Sequence, residues 1–125
     1  MGPQRRRMLV VDDEEGICRC LEQFFAARGF EVRSAFSGED AIARLDEGPV
    51  DVLLLDILLP GIHGLEVLKH AKQRYPQARV IMMTGLEHDD LRDQAAAHGA
   101  DAYVKKPFAL DEQTWAAALE PPAPS

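Results

Sequence analysis

The chain is poor in several things, and each shortage closes off a class of function. It has two cysteines in 125 residues, Cys18 and Cys20. On a helix that spacing sends the two side chains to different faces, so they do not bridge easily. There is no Cys-x-x-Cys and no matching histidine spacing, which excludes a zinc framework. The expectation is two free thiols in a reducing cytoplasm. Long apolar runs are missing too, and none approaches the roughly 20 residues that span a bilayer. Arg5-Arg6-Arg7 precedes the run Met8-Leu9-Val10-Val11, which is too short for the core of a secretory signal. Positive charge is the scarce sign: 14 Lys and Arg against 21 Asp and Glu give a net charge of −7. That balance argues against nucleic-acid binding by this domain, and the three arginines read as a solvated lead-in. No Gly-x-x-x-x-Gly-Lys or Gly-x-Gly-x-x-Gly segment is present, so the common nucleotide-binding loops are excluded.

What the chain does have is a regular alternation of short apolar runs and helical patterns. Its length suits one domain with a single core, and its apolar fraction of 46% is ordinary for a globular protein. Strands are expected at 8–11, 31–35, 52–55, 80–83 and 102–105, and helices at 14–28, 38–47, 64–75, 87–98 and 110–119. The first helix is expected to turn Ile17, Cys20, Leu21 and Phe24 inward. Ser37 suits the N-cap of the second helix, with Ala41, Ile42 and Leu45 inward. In the third helix, Leu65, Leu68, Ala71 and Tyr75 are the inward candidates. Gly29 suits a left-handed cap after the first helix. Five β-α units in succession imply an open parallel sheet with helices on both faces. Residues 1–7 read as a lead-in, 8–119 as the domain, and 120–125 as a Pro-rich tail resembling the start of a linker, as in a fragment of a longer protein.

The polar residues that close the apolar strands form a pattern. Asp12 and Asp13 follow the first, Asp56 ends the third, Thr84 ends the fourth, and Lys106-Pro107 follows the fifth. Parallel strands bring all of these to one edge, where ligands of such sheets collect. Three crowded carboxylates repel unless compensated. A hard divalent cation such as Mg²⁺ takes oxygen ligands, and Lys106 supplies a fixed positive charge. The set lacks the imidazole and thiolate ligands zinc prefers. A carboxylate beside Mg²⁺ and a lysine suits nucleophilic attack on phosphorus, giving an aspartyl phosphate. Thr84 can donate its hydroxyl to a phosphoryl oxygen, and Gly85 leaves room and a backbone N–H. Taken singly, Asp12-Asp13 also suits a helix N-cap and Lys106 an ordinary surface lysine, but neither reading explains the convergence.

With Leu9-Val10-Val11-Asp12-Asp13-Glu14, Asp56-Ile57-Leu58-Leu59-Pro60-Gly61-Ile62-His63-Gly64, Met82-Met83-Thr84-Gly85 and Tyr103-Val104-Lys105-Lys106-Pro107-Phe108, the chain resembles the receiver domain of two-component response regulators. The resemblance runs from Met8 to about Leu119. It implies a flavodoxin-like α/β fold, a five-stranded parallel sheet of order 2-1-3-4-5 flanked by five helices. It implies Asp56 as the phosphoacceptor, charged by a phosphohistidine on a sensor histidine kinase or a histidine phosphotransfer protein. Mg²⁺, with Mn²⁺ as a substitute, would bind Asp13, Asp56 and the backbone carbonyl of Leu58, with Asp12 acting through a bound water. Thr84, Gly85 and Lys106 would stabilise the phosphoryl group. Lys106-Pro107 would be a cis peptide, and Thr84 and Tyr103 the switch pair. The resemblance also implies an output domain or downstream protein as partner. A homodimer would form through the face of the fourth helix, fifth strand and fifth helix, where His88, Asp89, Arg92, Asp101, Asp111 and Glu112 fall. Such a domain is a cytoplasmic phosphoacceptor that catalyses its own phosphorylation and dephosphorylation, not an enzyme on an external substrate.

Some positions depart from the family pattern. Leu59 stands where Met is frequent, Gly85 where Ala is, and His63 where Asp or Asn commonly precedes the glycine. His63 is expected to be a solvent-exposed loop residue. Leu58 and Leu86 flank the path of the hydrolytic water in this family, and a leucine cannot orient that water, so slow self-dephosphorylation is expected. Two other readings stand beside this one. A pseudo-receiver would share the fold without being phosphorylated, although all five key residues are present. A hydrolase with an aspartyl nucleophile commonly needs a second acid two residues on, and here Leu58 holds that position.

Overall fold

The computed structural model describes residues 5–59, 61–85 and 89–119. The elements follow one another as β1 (Arg7–Val11), α1 (Glu15–Ala26), β2 (Glu31–Ala35), α2 (Gly38–Glu47), β3 (Val52–Asp56), α3 (Gly64–Arg74), β4 (Arg79–Thr84), α4 (Asp89–Ala97), β5 (Ala102–Lys105) and α5 (Glu112–Leu119). The five strands form one sheet in the order β2-β1-β3-β4-β5, every neighbouring pair parallel. This is the order the resemblance implied. No described helix is long and apolar enough to cross a membrane.

The absence of alternation in Val52-Leu53-Leu54-Leu55 has a direct cause. β3 is central, and both of its faces are covered. Successive side chains along β1, β3 and β4 divide between two apolar clusters, as the strand period of two requires. Leu9, Val11, Leu53, Leu55, Val80 and Met82 join Ala41 and Leu45 of α2, Val67, Leu68 and Ala71 of α3, and Ala95 of α4. Met8, Val10, Val52, Leu54, Ile81 and Met83 join Cys18, Leu21 and Phe25 of α1 and Trp115 and Ala118 of α5. In the second cluster Phe25 meets the Trp115 ring edge-to-face at 5.2 Å. Truncating either of these buried rings to alanine costs roughly 3–5 kcal/mol.

Three details differ from the expectations. The buried face of α1 is Cys18, Leu21 and Phe25, while Cys20 is exposed and Ile17 and Phe24 are half-buried. The helix is rotated by about one residue because Phe25 and Trp115 interlock. In α3 the buried set includes Val67, whereas Leu65 and Tyr75 are half-buried, and Tyr75 donates its hydroxyl to the Leu45 carbonyl at 2.5 Å. α5 begins at Glu112 because the Asp111 carboxylate accepts from the Thr114 N–H at 2.8 Å and caps it there. Ser37 caps α2 as expected, accepting from the Asp40 N–H at 3.1 Å. The Pro-rich tail lies outside the described residues.

Candidate functional site

The strand ends assemble the site. β1 stops at Val11, and the backbone pairing with β2 continues one step further through the Asp12 N–H to the Ala35 carbonyl at 3.1 Å. Asp12 is therefore held as rigidly as a strand residue and is fully buried. β3 extends through Asp56, paired with Met83, and Thr84 pairs with Lys105. The Lys106 N–H donates to the Thr84 carbonyl at 2.7 Å, and the Lys106–Pro107 bond is cis. Asp56 and Thr84 are both buried, at 7% and 4% exposure.

Asp12, Asp13 and Asp56 each offer a carboxylate oxygen, and these atoms lie within 4.8 Å of one another. Lys106 reaches into the group. Its Nζ donates to Asp12 Oδ2 at 2.5 Å and to Asp56 Oδ2 at 3.1 Å. The remaining oxygens of these two acids also hold donors: Asp12 Oδ1 accepts from the Glu14 N–H at 2.9 Å, and Asp56 Oδ1 from the Leu58 N–H at 3.1 Å. Asp13 is exposed and has no such partner among the described residues. The donor set is all oxygen, compact and net negative, which fits Mg²⁺ and not a soft metal.

The electrostatics follow from burial. Burial pushes the Asp56 carboxyl above its ordinary pKa, and Lys106 and the Leu58 N–H oppose that rise without cancelling it. Burial alone would lower the Lys106 ammonium. The hydrogen bond to Asp12 and the charge and hydrogen bond of Asp56 outweigh it, so Lys106 is held above its ordinary value.

The structure thus brings Asp12, Asp13, Asp56 and Lys106 together, with Thr84 and Gly85 at the adjoining end of β4. Tyr103 is engaged elsewhere. Its hydroxyl donates to the Arg92 carbonyl of α4 at 3.0 Å, and the Arg92 guanidinium lies over its ring at 4.7 Å. Leu58 is 45% exposed beside Asp56. Leu86 lies outside the described residues, as do Pro60, Glu87 and His88. His63 is not an exposed loop residue. It is half-buried and caps α3, its Nδ1 accepting from the Leu65 N–H at 3.2 Å. This is the work an Asp or Asn does at an N-cap. On the face suggested for pairing, Asp101 already holds Lys72 at 2.8 Å, Glu112 holds Arg28 at 2.8 Å, and Asp111 caps α5.

Comparison with known proteins agrees with this geometry. The sequence profile of the response regulator receiver domain matches residues 8–118. The phosphate regulon transcriptional regulatory protein PhoB of Rhizobium meliloti is 39% identical over 108 residues, covering 85% of this chain and 48% of PhoB. The chain thus spans about half the length of that relative. A CheY-like receiver domain from Methanospirillum hungatei superposes with a TM-score of 0.82 at 31% identity, over 86% of each chain. A Burkholderia pseudomallei response regulator, solved with a phosphorylated aspartic acid, a calcium ion and citrate, gives a TM-score of 0.84 at 28% identity. That match covers 92% of this chain and 66% of the other. The chain belongs to the response regulator receiver domain family.

Proposed function

We propose that Asp56 accepts a phosphoryl group from the phosphohistidine of a sensor histidine kinase or histidine phosphotransfer protein, in a Mg²⁺-dependent step. The observation that carries the reading is the position of Lys106 Nζ between the Asp12 and Asp56 carboxylates, inside a cluster of three acids. A carboxylate oxygen of Asp56 attacks phosphorus, the phosphorus–nitrogen bond breaks, and the imidazole leaves. Lys106 then pairs with a phosphoryl oxygen, and the Thr84 hydroxyl and Gly85 N–H donate to others. Asp13, Asp56 and the Leu58 carbonyl would hold Mg²⁺, or Mn²⁺ in its place. When bound, the ion neutralises charge on the transferring group. Asp12 is fully buried, whereas Asp56 keeps some exposure and Asp13 is exposed, which suits Asp12 to a role through water.

The domain acts as a phosphoacceptor and not as an enzyme on an external substrate. Its switch is the exchange of Tyr103 between the Arg92 contact and an inward position once Thr84 turns toward the phosphoryl group. The relatives that extend beyond this region suggest a downstream output domain as the receiver of that change. Self-dephosphorylation is slow, because Leu58 and Leu86 offer nothing to orient water.

Acetyl phosphate with Mg²⁺, followed by intact mass, tests the reading. Wild type should gain one phosphoryl group, and Asp56→Asn or added chelator should abolish it. No adduct on wild type would instead indicate a binding module that is not phosphorylated. Leu58→Asn with Leu86→Glu should hasten loss of the adduct, and an unchanged decay rate would sink the claim of a long lifetime.

A further inference from the structure

We propose that Glu39 is a positioning residue for the cation site, holding the β3–α3 loop from a neighbouring helix; this rests on the reading of Asp56 given above. The loop at 57–63 leaves the end of β3 and must return to α3. Its near end is tied down, with the Ile57 N–H donating to the Met83 carbonyl at 3.1 Å and the Leu58 N–H to Asp56 Oδ1 at 3.1 Å. Its far end is fixed by the His63 cap on α3. Between these ties the Gly61–Ile62 segment belongs to no strand or helix. There the Ile62 N–H donates to Glu39 Oε1 at 2.5 Å, from the first turn of α2.

The two segments are shaped to each other around this bond. Gly61 has φ +74°, and a side chain at that position would strike the Glu39 carboxylate. Gly38, one residue before Glu39, is where a side chain would strike the Ile62 carbonyl and Cβ. An acid in the first turn of a helix is favourable for the helix alone. That does not explain why this carboxylate turns to the Gly61–Ile62 backbone, where Gly61 leaves room for Glu39 and Gly38 leaves room for Ile62. The consequence falls on Leu58, whose N–H holds Asp56 and whose carbonyl is the implied metal ligand. Loosening the loop should weaken cation binding before it slows phosphoryl transfer, as loss of an outer-shell partner does.

The test uses the full chain as wild type, Glu39→Ala, Glu39→Gln and Asp56→Asn. Mg²⁺ is titrated without any phosphodonor, following the amide resonances of Leu58 and Ile62, and then the acetyl phosphate reaction rate is measured against Mg²⁺. Glu39→Ala should lose hydrogen-exchange protection at the Ile62 amide and need roughly tenfold more Mg²⁺ in both measurements. Its rate at saturating Mg²⁺ should stay within about twofold of wild type. Glu39→Gln, whose amide oxygen still accepts, should keep most of the wild-type affinity. An unchanged Mg²⁺ midpoint in Glu39→Ala would overturn the proposal. So would Glu39→Gln as impaired as Glu39→Ala, since that would trace the effect to charge and not to the hydrogen bond. Failure of the underlying reading looks different: wild type takes up no phosphoryl group, or Asp56→Asn takes up as much, while the amide titration still reports on Glu39.

Discussion

The two edges of the sheet are built from the same kinds of charge and differ in how that charge is held. At the amino edge a cavity of about 450 Å³ opens among Arg5, Arg7, Arg33 and Arg44, with Glu31 and Glu47 on its wall. Its ion pairs are loose: Arg33 and Arg44 share Glu47 at 3.6 and 3.7 Å, with all three side chains well exposed. At the carboxyl edge the charges converge on one ammonium. Lys106 meets Asp12 at 2.5 Å and Asp56 at 3.1 Å, and the Asp12 side chain has no exposure at all. Exposed pairs contribute little, because water and salt screen them. Buried ones are strongly coupled, and removing one partner leaves the other uncompensated. A cavity walled with charge is therefore not by itself a sign of chemistry.

The largest expected effect follows from that contrast. Lys106→Met should destabilise the protein by about 3 kcal/mol in chelator, because two carboxylates lose their counter-charge. Mg²⁺ should restore part of that loss in the variant. Arg44→Ala at the amino edge should shift stability by less than about 0.5 kcal/mol. Urea unfolding with and without Mg²⁺ measures both, and comparable losses at the two edges would break the comparison. The pH dependence has a definite sign. Lys106 is raised above 10.5 in the folded state, so its contribution is complete below that pH and is lost as pH climbs through the folded value.

Glycines give a second, smaller contrast. A Cβ on Gly64 would lie 2.6 Å from the Asp56 carbonyl oxygen and 2.7 Å from that of Ile57, both backbone atoms that cannot swing aside. Gly64→Ala should therefore cost about 1–3 kcal/mol and slow phosphorylation by moving Asp56. A Cβ on Gly48, at the amino edge, would meet nothing nearer than Arg7 Nη1 at 4.0 Å, and its φ of 168° is extended backbone. Gly48→Ala should be neutral or stabilising by about 0.5 kcal/mol. Thermal melts of the two variants side by side would show the difference, and a destabilised Gly48→Ala would count against a relaxed amino edge.

The carboxyl edge was the more legible of the two in the sequence, for a physical reason. Parallel strands with matched register carry their ends to one side, so Asp12, Asp56, Thr84 and Lys106 could be placed together once four apolar runs were recognised. Nothing comparable marks Glu39. It reads as an ordinary acid in the first turn of a helix, and its contact with Ile62 depends on how α2 packs beside a loop far along the chain. The N-cap role of His63 was hidden because histidine is an uncommon cap. The burial of Cys18 in place of Cys20 depended on how Phe25 meets Trp115, which periodicity alone cannot resolve. Local pattern thus located the chemistry, and packing between distant segments decided which residues support it.

The smallest effect probes how dry the carboxyl edge is. Cys18 lies on the buried face of α1, and its thiol donates to the Asp12 carbonyl at 3.4 Å. Burial, reinforced by the Asp12 charge, pushes its pKa up to about 11. Cys20, two residues away, is exposed. With a disulfide reagent at mild pH, Cys20 should react at once and Cys18 only after denaturation. The stability held by the protonated Cys18 thiol should be complete below about pH 9 and decline as pH rises toward 11. Cys18 reacting in the native protein as fast as Cys20 would mean that water reaches the Asp12 backbone. The strength assigned to the Lys106–Asp12 pair depends on its absence, so the contrast between the edges would then have to rest on geometry alone.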